Sequence, residues 1–183
     1  ALAVDDLPRF MFDLRKRLGS ASRALEFGIL TAARTGEILG ATWDEIDFKQ
    51  KIWHLTADRM KADRDHRIPL SDAALELLIL IKPEEPRGII FTSDKGTELS
   101  NSALSATIKR IHNSNKDLNN VGYIDTLSNR IVTTHGFRST FKDWSRRNGQ
   151  FPDEWSELAL AHVNSDQTRA AYARDELINE RSQ

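Results

Sequence analysis

The chain has 183 residues, 39% hydrophobic and 29% charged, enough to build one sizeable core and unlike a disordered chain. It has no cysteine, which excludes disulfides, thiolate metal sites and a cysteine nucleophile, and no apolar run long enough to cross a bilayer. The net charge of −1 conceals a gradient: residues 51–70 carry 5 Lys and Arg against 3 Asp and Glu, residues 101–150 carry 8 against 3, and the stretches after each are acidic. A local cationic surface is therefore expected on a nearly neutral chain. No signal segment opens the sequence, so a cytoplasmic setting is expected.

Residues 5–18 form an amphipathic pattern, with Leu7, Phe10, Met11, Leu14 and Leu18 on one face and Gly19 as the stop. Ser22 is placed to cap a second helix that is apolar almost all round from Ala24 to Ala33, as a helix through the middle of a core is. Arg34 emerges at its end, before Thr35, Gly36 and a short helix over residues 37–40. Two β-rich runs, 43–48 and 51–55, and a third, 66–68, halted by Pro69, predict a three-stranded antiparallel sheet. Its second connection, residues 57–65, is long and charged. Ser71 caps a helix carrying Leu75, Leu78 and Ile79 and ended by Pro83; Ser100 or Asn101 caps another with Leu104, Ile108 and Ile111. Residues 112–130, rich in Asn, Asp and Ser, predict a long surface loop. Thr133 or Thr134 caps a helix over 135–148, and helical patterns return at 153–161 and 166–179. The expected class is mainly α with a small three-stranded antiparallel sheet (α+β).

On the helix over 135–148, a turn of about 100° per residue gathers His135, Arg138, Lys142 and Arg146 in one stripe and sets Phe137, Phe141 and Trp144 on the other side. The aromatic side should pack inward and the cations point out, a face suited to phosphate oxygens and shared with ordinary solvated basic helices. Arg34, at the end of the most buried helix, needs a partner, and the Glu37 carboxylate is the candidate. Lys61 lies in the charged hairpin connection, His162 follows Ala161, and Tyr172 comes ten residues later. Taken singly, these read more readily as a solvated lysine, a structural histidine and a packed tyrosine. His135 and His162 lack a third and fourth ligand at recognisable spacing, and Arg138 would repel a cation, so no metal is expected.

As an ordered set, Arg34, Lys61, His135-x-x-Arg138, His162 and Tyr172 resembles the catalytic domain of the tyrosine recombinases, or phage integrases. The resemblance runs from about Leu7 to Arg181 and extends to integrases of prophages, satellite phages and genomic islands. It is carried by Ala33-Arg34-Thr35-Gly36-Glu37-Ile38-Leu39, Trp43-Asp44-Glu45-Ile46-Asp47, Met60-Lys61, His66-Arg67-Ile68-Pro69-Leu70-Ser71, Thr134-His135-Gly136-Phe137-Arg138 and Leu160-Ala161-His162-Val163. Ala161 stands where the broad family often has Gly before the second His, and Arg174 where His is common after Tyr; both departures resemble the island-integrase subgroup.

The resemblance implies the fold of the DNA breaking-rejoining enzymes, with residues 1–183 as a C-terminal catalytic domain whose N-terminal DNA-binding domains are absent from this chain. It implies that Arg34 and Arg138 hold the non-bridging oxygens of a phosphodiester, that His162 adds a donor, that Tyr172 attacks, that His135 handles the proton of the phenol, and that Lys61 protonates the departing 5′ oxygen. The product is a 3′-phosphotyrosine link, and no cofactor, metal or ATP is implied. Arg59, Arg64, Arg67, Lys142 and Arg146 then read as phosphate contacts or solvated charge. The implied partners are double-stranded DNA attachment sites, three further copies in a tetramer on DNA, and DNA-bending accessory proteins, with the isolated chain a monomer and residues 175–183 a tail for a neighbouring copy. No membrane partner is implied, and the expected location is the bacterial nucleoid. Two other readings remain: a topoisomerase with the same covalent chemistry, and a DNA-binding module without catalysis.

Overall fold

In the computed structural model, which describes residues 1–60, 63–118, 120–148, 152–161 and 178–181, the helical periodicity of the sequence becomes a set of helices packed round a central one. Helix α1 (Leu7–Arg15) carries Pro8 in its first turn and buries Phe10, Met11 and Leu14. It ends at Arg15, so Leu18, predicted on its inner face, is 96% exposed in the link that follows. Gly19 takes φ 98°, which a side chain would resist, and turns the chain into the central helix α2 (Ser20–Thr31). The helix thus begins two residues ahead of Ser22, whose hydroxyl donates to the Leu18 carbonyl at 3.4 Å. Helix α2 buries Ala24, Leu25, Phe27 and Gly28; at Gly28 a Cβ would stand 2.3 Å from Ile38 Cδ1, so its absence lets α3 (Thr35–Leu39) pack close.

The predicted sheet forms from β1 (Ile46–Asp47), β2 (Ile52–Leu55) and β3 (His66–Pro69), antiparallel in that order, with Trp53 opposite Ile46 and Ile68, and Leu55 opposite His66. The first strand is shorter than predicted because Trp43–Glu45 winds into a 3-10 turn, its carboxylate accepting from Thr42 N at 3.2 Å. Asp47 Oδ1 accepts from the backbone N of Lys49 (2.9 Å) and Gln50 (2.8 Å), which closes the first hairpin.

Helix α4 (Asp72–Ile81) starts at the predicted cap, Ser71, whose hydroxyl accepts from Ala74 N at 3.3 Å. Helix α5 (Ala103–Asp117) runs on into the stretch predicted as loop, because Ile111, His112 and Asn115 face inward. His112 Nδ1 accepts from Tyr123 N at 2.9 Å, and Asn115 Nδ2 donates to Asp13 at 3.4 Å. Part of the remaining stretch is also ordered, as a second small hairpin of β4 (Ile124–Asp125) and β5 (Arg130–Ile131). The architecture is mainly helical with two small antiparallel sheets among the described residues, rather than one.

Helices α6 (Thr134–Asn148), α7 (Asp153–Ala159) and α8 (Ile178–Arg181) complete the described chain. The α8 turn lies on β3 and α7 of its own chain, with Arg181 donating to the Arg67 carbonyl at 3.0 Å, so this part of the segment predicted to dock on a neighbour packs in cis. Most of the predicted helix over 166–179 lies outside the described residues. The core is knitted by rings: Phe10 meets Tyr123 and Phe137 at centroid distances of 5.0 and 4.8 Å, and Phe27 meets Trp53 and Phe91 at 5.0 and 5.5 Å. Each such buried ring contributes about 2–3 kcal/mol. Among the described residues no helix is long and apolar enough to cross a membrane.

Candidate active site

The two arginines that the sequence set 104 positions apart come together at the end of α7. Arg34 precedes α3, and Glu37 in the first turn of that helix accepts from it twice: from its backbone N at 2.7 Å and from Nη1 at 2.8 Å. The spacing of three residues at a helix start is what allows both bonds, and the carboxylate also sits favourably at the helix N-terminus. Arg34 Nη2 donates to the carbonyls of Leu160 (3.2 Å) and Ala161 (3.1 Å). Arg138, one turn into α6, donates from Nη2 to the same Leu160 carbonyl at 2.6 Å and from Nη1 to the Ala32 carbonyl. One carbonyl oxygen therefore accepts a hydrogen bond from each guanidinium.

Arg138 was expected to point outward with its stripe; instead it is buried, with 5% of its surface exposed. Backbone carbonyls, which have no signature in the sequence, are what receive it. Burial and the neighbouring Arg34 pull its pKa down to about 10, and the Glu37 carboxylate opposes both, so it stays cationic at neutral pH. Its Nε has no hydrogen-bond partner among the described residues.

Two of the carbonyls belong to alanines in the left-handed region, Ala32 at φ 52° and Ala161 at φ 46°. Such a conformation costs a non-glycine residue about 1 kcal/mol, and strain of this kind collects where a backbone must aim a group. Ala32 ends α2 in this way and turns its oxygen on Arg138; Ala161 follows α7 and turns its oxygen on Arg34. A Gly at the position of Ala161 would adopt that torsion without strain.

Beside Arg138 opens a cavity of about 300 Å³ lined by His135, Ser139, Lys142, Asp143, Arg146 and Leu160. His135 is exposed there at the start of α6. The cationic stripe is partly answered by α7: Lys142 pairs with Glu157, and Arg146 with Asp153 at 3.4 Å. Of the other cations read as phosphate contacts or solvated charge, Arg59 pairs with Glu45 and donates to the Glu37 carbonyl at 2.9 Å, bracing α3 beside Arg34. Arg64 and Arg67 are exposed. Trp144, expected inward, is 40% exposed, while Phe137 is buried.

Lys61, His162 and Tyr172 lie outside the described residues. The chain's other tyrosine, Tyr123, is fully buried and donates its hydroxyl to Asp13 at 2.6 Å; burial first, then that carboxylate, push its pKa well above the ordinary phenol value. A group that sequence reading placed at the start of the third strand but gave no role is His66, which faces inward on β3 and is 8% exposed. Burial and then the Arg181 charge lower its pKa to about 4, against the pull of Glu37 and the Ala159 carbonyl. The signal available was a polar residue at an inward position of a strand that alternates with Ile68. Among the described residues no three His, Asp or Glu side chains cluster so as to hold a metal.

The chain is 34% identical, over 99% of its length, to prophage integrase IntA of Escherichia coli K12, and 32% identical, over 88%, to prophage integrase IntZ of the same strain. It spans 41% and 37% of those proteins, about two fifths of each. In fold it matches a lambda integrase (75-356) solved as a dimer on a COC′ core site, with a TM-score of 0.65 at 20% identity, covering 96% of this chain and 59% of that one. The model of the phage integrase family matches residues 2–177, and with that match spanning nearly its whole length, this chain belongs to the phage integrase family.

Proposed function

We propose that the chain is the catalytic part of a site-specific DNA recombinase that integrates or excises a prophage or genomic island by cutting and rejoining DNA through a 3′-phosphotyrosine intermediate. The observation that carries this reading is the meeting of Arg34 and Arg138 on the Leu160 carbonyl beside a cation-lined cavity that includes His135. A phosphodiester already bears a negative charge, and attack on phosphorus adds another. Two guanidiniums aimed at its non-bridging oxygens stabilise that added charge most, which lowers the barrier rather than merely binding substrate.

Tyr172 is the nucleophile. Of the two tyrosines, Tyr123 is sealed in the core with its hydroxyl held by Asp13, which supports assigning attack to the other. A phenol with a pKa of about 10 is ionised about once in a thousand at neutral pH, a penalty of roughly 4 kcal/mol, so a base is needed; His135, exposed at the mouth of the cavity, fills that role. Lys61 protonates the departing 5′ oxygen, and His162 adds a donor to the phosphate. The phosphotyrosine ester conserves the energy of the broken bond and is resolved by a 5′ hydroxyl from another strand, so neither ATP nor a metal enters.

The partners are duplex attachment sites, three further copies in the tetramer on DNA and DNA-bending accessory proteins, all in the cytoplasm. The isolated chain is a monomer that binds DNA weakly and loses affinity steeply with salt, since it offers few phosphate contacts. A nicked suicide duplex, built from the junctions of the integrated element so that the 5′ fragment diffuses away after attack, tests the chemistry. The expected result is a denaturant-resistant protein–DNA adduct that Tyr172→Phe abolishes. An adduct that survives in Tyr172→Phe, or no adduct on any junction sequence, refutes the reading.

A further inference from the structure

His66 is the inward-facing residue at the start of β3, the strand reached directly from the Lys61 connection, and it is buried there opposite the apolar Leu55 of β2. The charged and polar groups that act on it among the described residues belong to three other segments: Arg34 and Glu37 at the start of α3, Arg181 on α8, and the Ala159 carbonyl at the end of α7. Two of these segments hold or adjoin the site: Glu37 grips Arg34, and the two residues after Ala159 supply carbonyls to both guanidiniums. An inward strand position beside Ile68 would ordinarily be apolar, and the imidazole Nε2 lies buried there without a hydrogen-bond partner among the described residues.

We propose that His66 is a positioning residue of this site, kept uncharged so that the Glu37 carboxylate belongs to Arg34 alone while β3 stays closed on the ends of α7 and α8. This rests on the recombinase reading for its functional consequence, but its geometry stands apart from it. Two cations, Arg34 and Arg181, already act on the imidazole, and one carboxylate, Glu37, opposes them. A third cation at His66 would draw Glu37 away from Arg34 and push on Arg34 itself. The guanidinium would then leave the Leu160 and Ala161 carbonyls that align it with Arg138. Burial and the surrounding cations hold the protonated form off until well below neutral pH, consistent with a neutral working state.

The test compares His66→Gln, polar and neutral, with His66→Lys, a permanent cation, in single-turnover cleavage of the suicide duplex, with folding of each checked by circular dichroism. His66→Gln should cleave within about threefold of the wild type. His66→Lys should cleave on the order of 100-fold more slowly, the cost of a small misplacement of a phosphate-holding group, with duplex affinity changed by less than about twofold. Equal rates for His66→Lys and the wild type, or equal losses for both variants, overturn the proposal. A wild type that forms no adduct would refute the recombinase reading, and the positioning role is then decided by nuclear magnetic resonance. As His66 titrates in acid, the Arg34 Nε–H resonance should move with the His66 ring signals, and in His66→Gln it should not. An Arg34 resonance indifferent to His66 refutes the role by itself.

Discussion

Neutralising Glu37 by Glu37→Gln removes the one carboxylate that the described residues set against two converging guanidiniums. The side chain is 6% exposed and accepts from Arg34 at 2.7 and 2.8 Å. Breaking one side of a buried ion pair costs about 3–5 kcal/mol, because the partner is left charged and uncompensated. Two features reduce that here. Arg34 is 28% exposed, so water screens it, and the Gln carbonyl can still accept one of the two bonds. The expected loss is therefore about 2 kcal/mol, read by urea denaturation at neutral pH with an unchanged slope. A second effect runs the other way. With the carboxylate charge gone, the guanidinium pair should take up an inorganic anion more readily than in the wild type. Sulfate at about 100 times its dissociation constant would restore about 2.7 kcal/mol. Titrating sulfate against chloride at matched ionic strength separates specific binding from screening. A loss under about 0.5 kcal/mol, or equal stabilisation of variant and wild type by sulfate, would refute the idea that Glu37 balances an anion-seeking pair.

Acid should weaken the fold through His66. Its folded pKa of about 4 lies below the ordinary 6.5, so the unfolded chain binds the extra proton first, and stability present above pH 6.5 falls as pH drops toward 4. The full fall is about 3 kcal/mol, and the difference in stability between wild type and His66→Gln across that window, measured by denaturation, should show it; a constant difference would argue against the burial of a neutral ring. Tyr123→Phe deletes the bond to Asp13 and should cost about 1–2 kcal/mol in thermal or urea unfolding while leaving adduct formation intact, whereas loss of the adduct would reassign the nucleophile. Ala161→Gly relieves the left-handed torsion at φ 46° and should raise stability by up to about 1 kcal/mol; a destabilised variant would mean that the backbone there is not strained. Glu157→Gln releases Lys142 and should tighten binding to a short duplex and steepen its salt dependence by about one unit of slope, and an unchanged slope would show that Lys142 does not meet phosphate.

The parts of this chain that were legible in its sequence are those where one residue's chemistry acts on neighbours within a turn. Apolar spacing marked α2, Ser71 marked the start of α4, and Glu37 three residues after Arg34 marked the ion pair. What escaped depends on partners far along the chain. The stretch after Ile111 looks like loop because Asn and Ser favour turns, yet Asn115 stays helical through its bond to Asp13, 102 positions away. Leu18 fits the apolar face of α1 on paper but lies past the end of that helix. The convergence of Arg34 and Arg138 was predicted from the resemblance, whereas the burial of Arg138 was not, since its acceptors are main-chain oxygens at Ala32 and Leu160.

Those oxygens also explain how two like charges are held at one point. The guanidiniums repel, and Glu37 compensates only one of them. Carbonyls at Ala32, Leu160 and Ala161 supply partial negative charge without adding a second carboxylate. A second carboxylate would have made the pair neutral and removed its preference for an anion. With dipoles instead, Arg34, Arg138 and Glu37 sum to one unpaired positive charge, which a phosphodiester matches in its ground state. In the proposed reaction the further charge that builds during attack falls on the same two guanidiniums, with other cations of the cavity as added support. Two further cations that line the cavity, Lys142 and Arg146, are engaged with Glu157 and Asp153, so under the proposed function a duplex would compete with acids of α7 for them. The same helix ends at the carbonyls that align the arginines, so under the proposed function α7 would link phosphate binding to guanidinium placement.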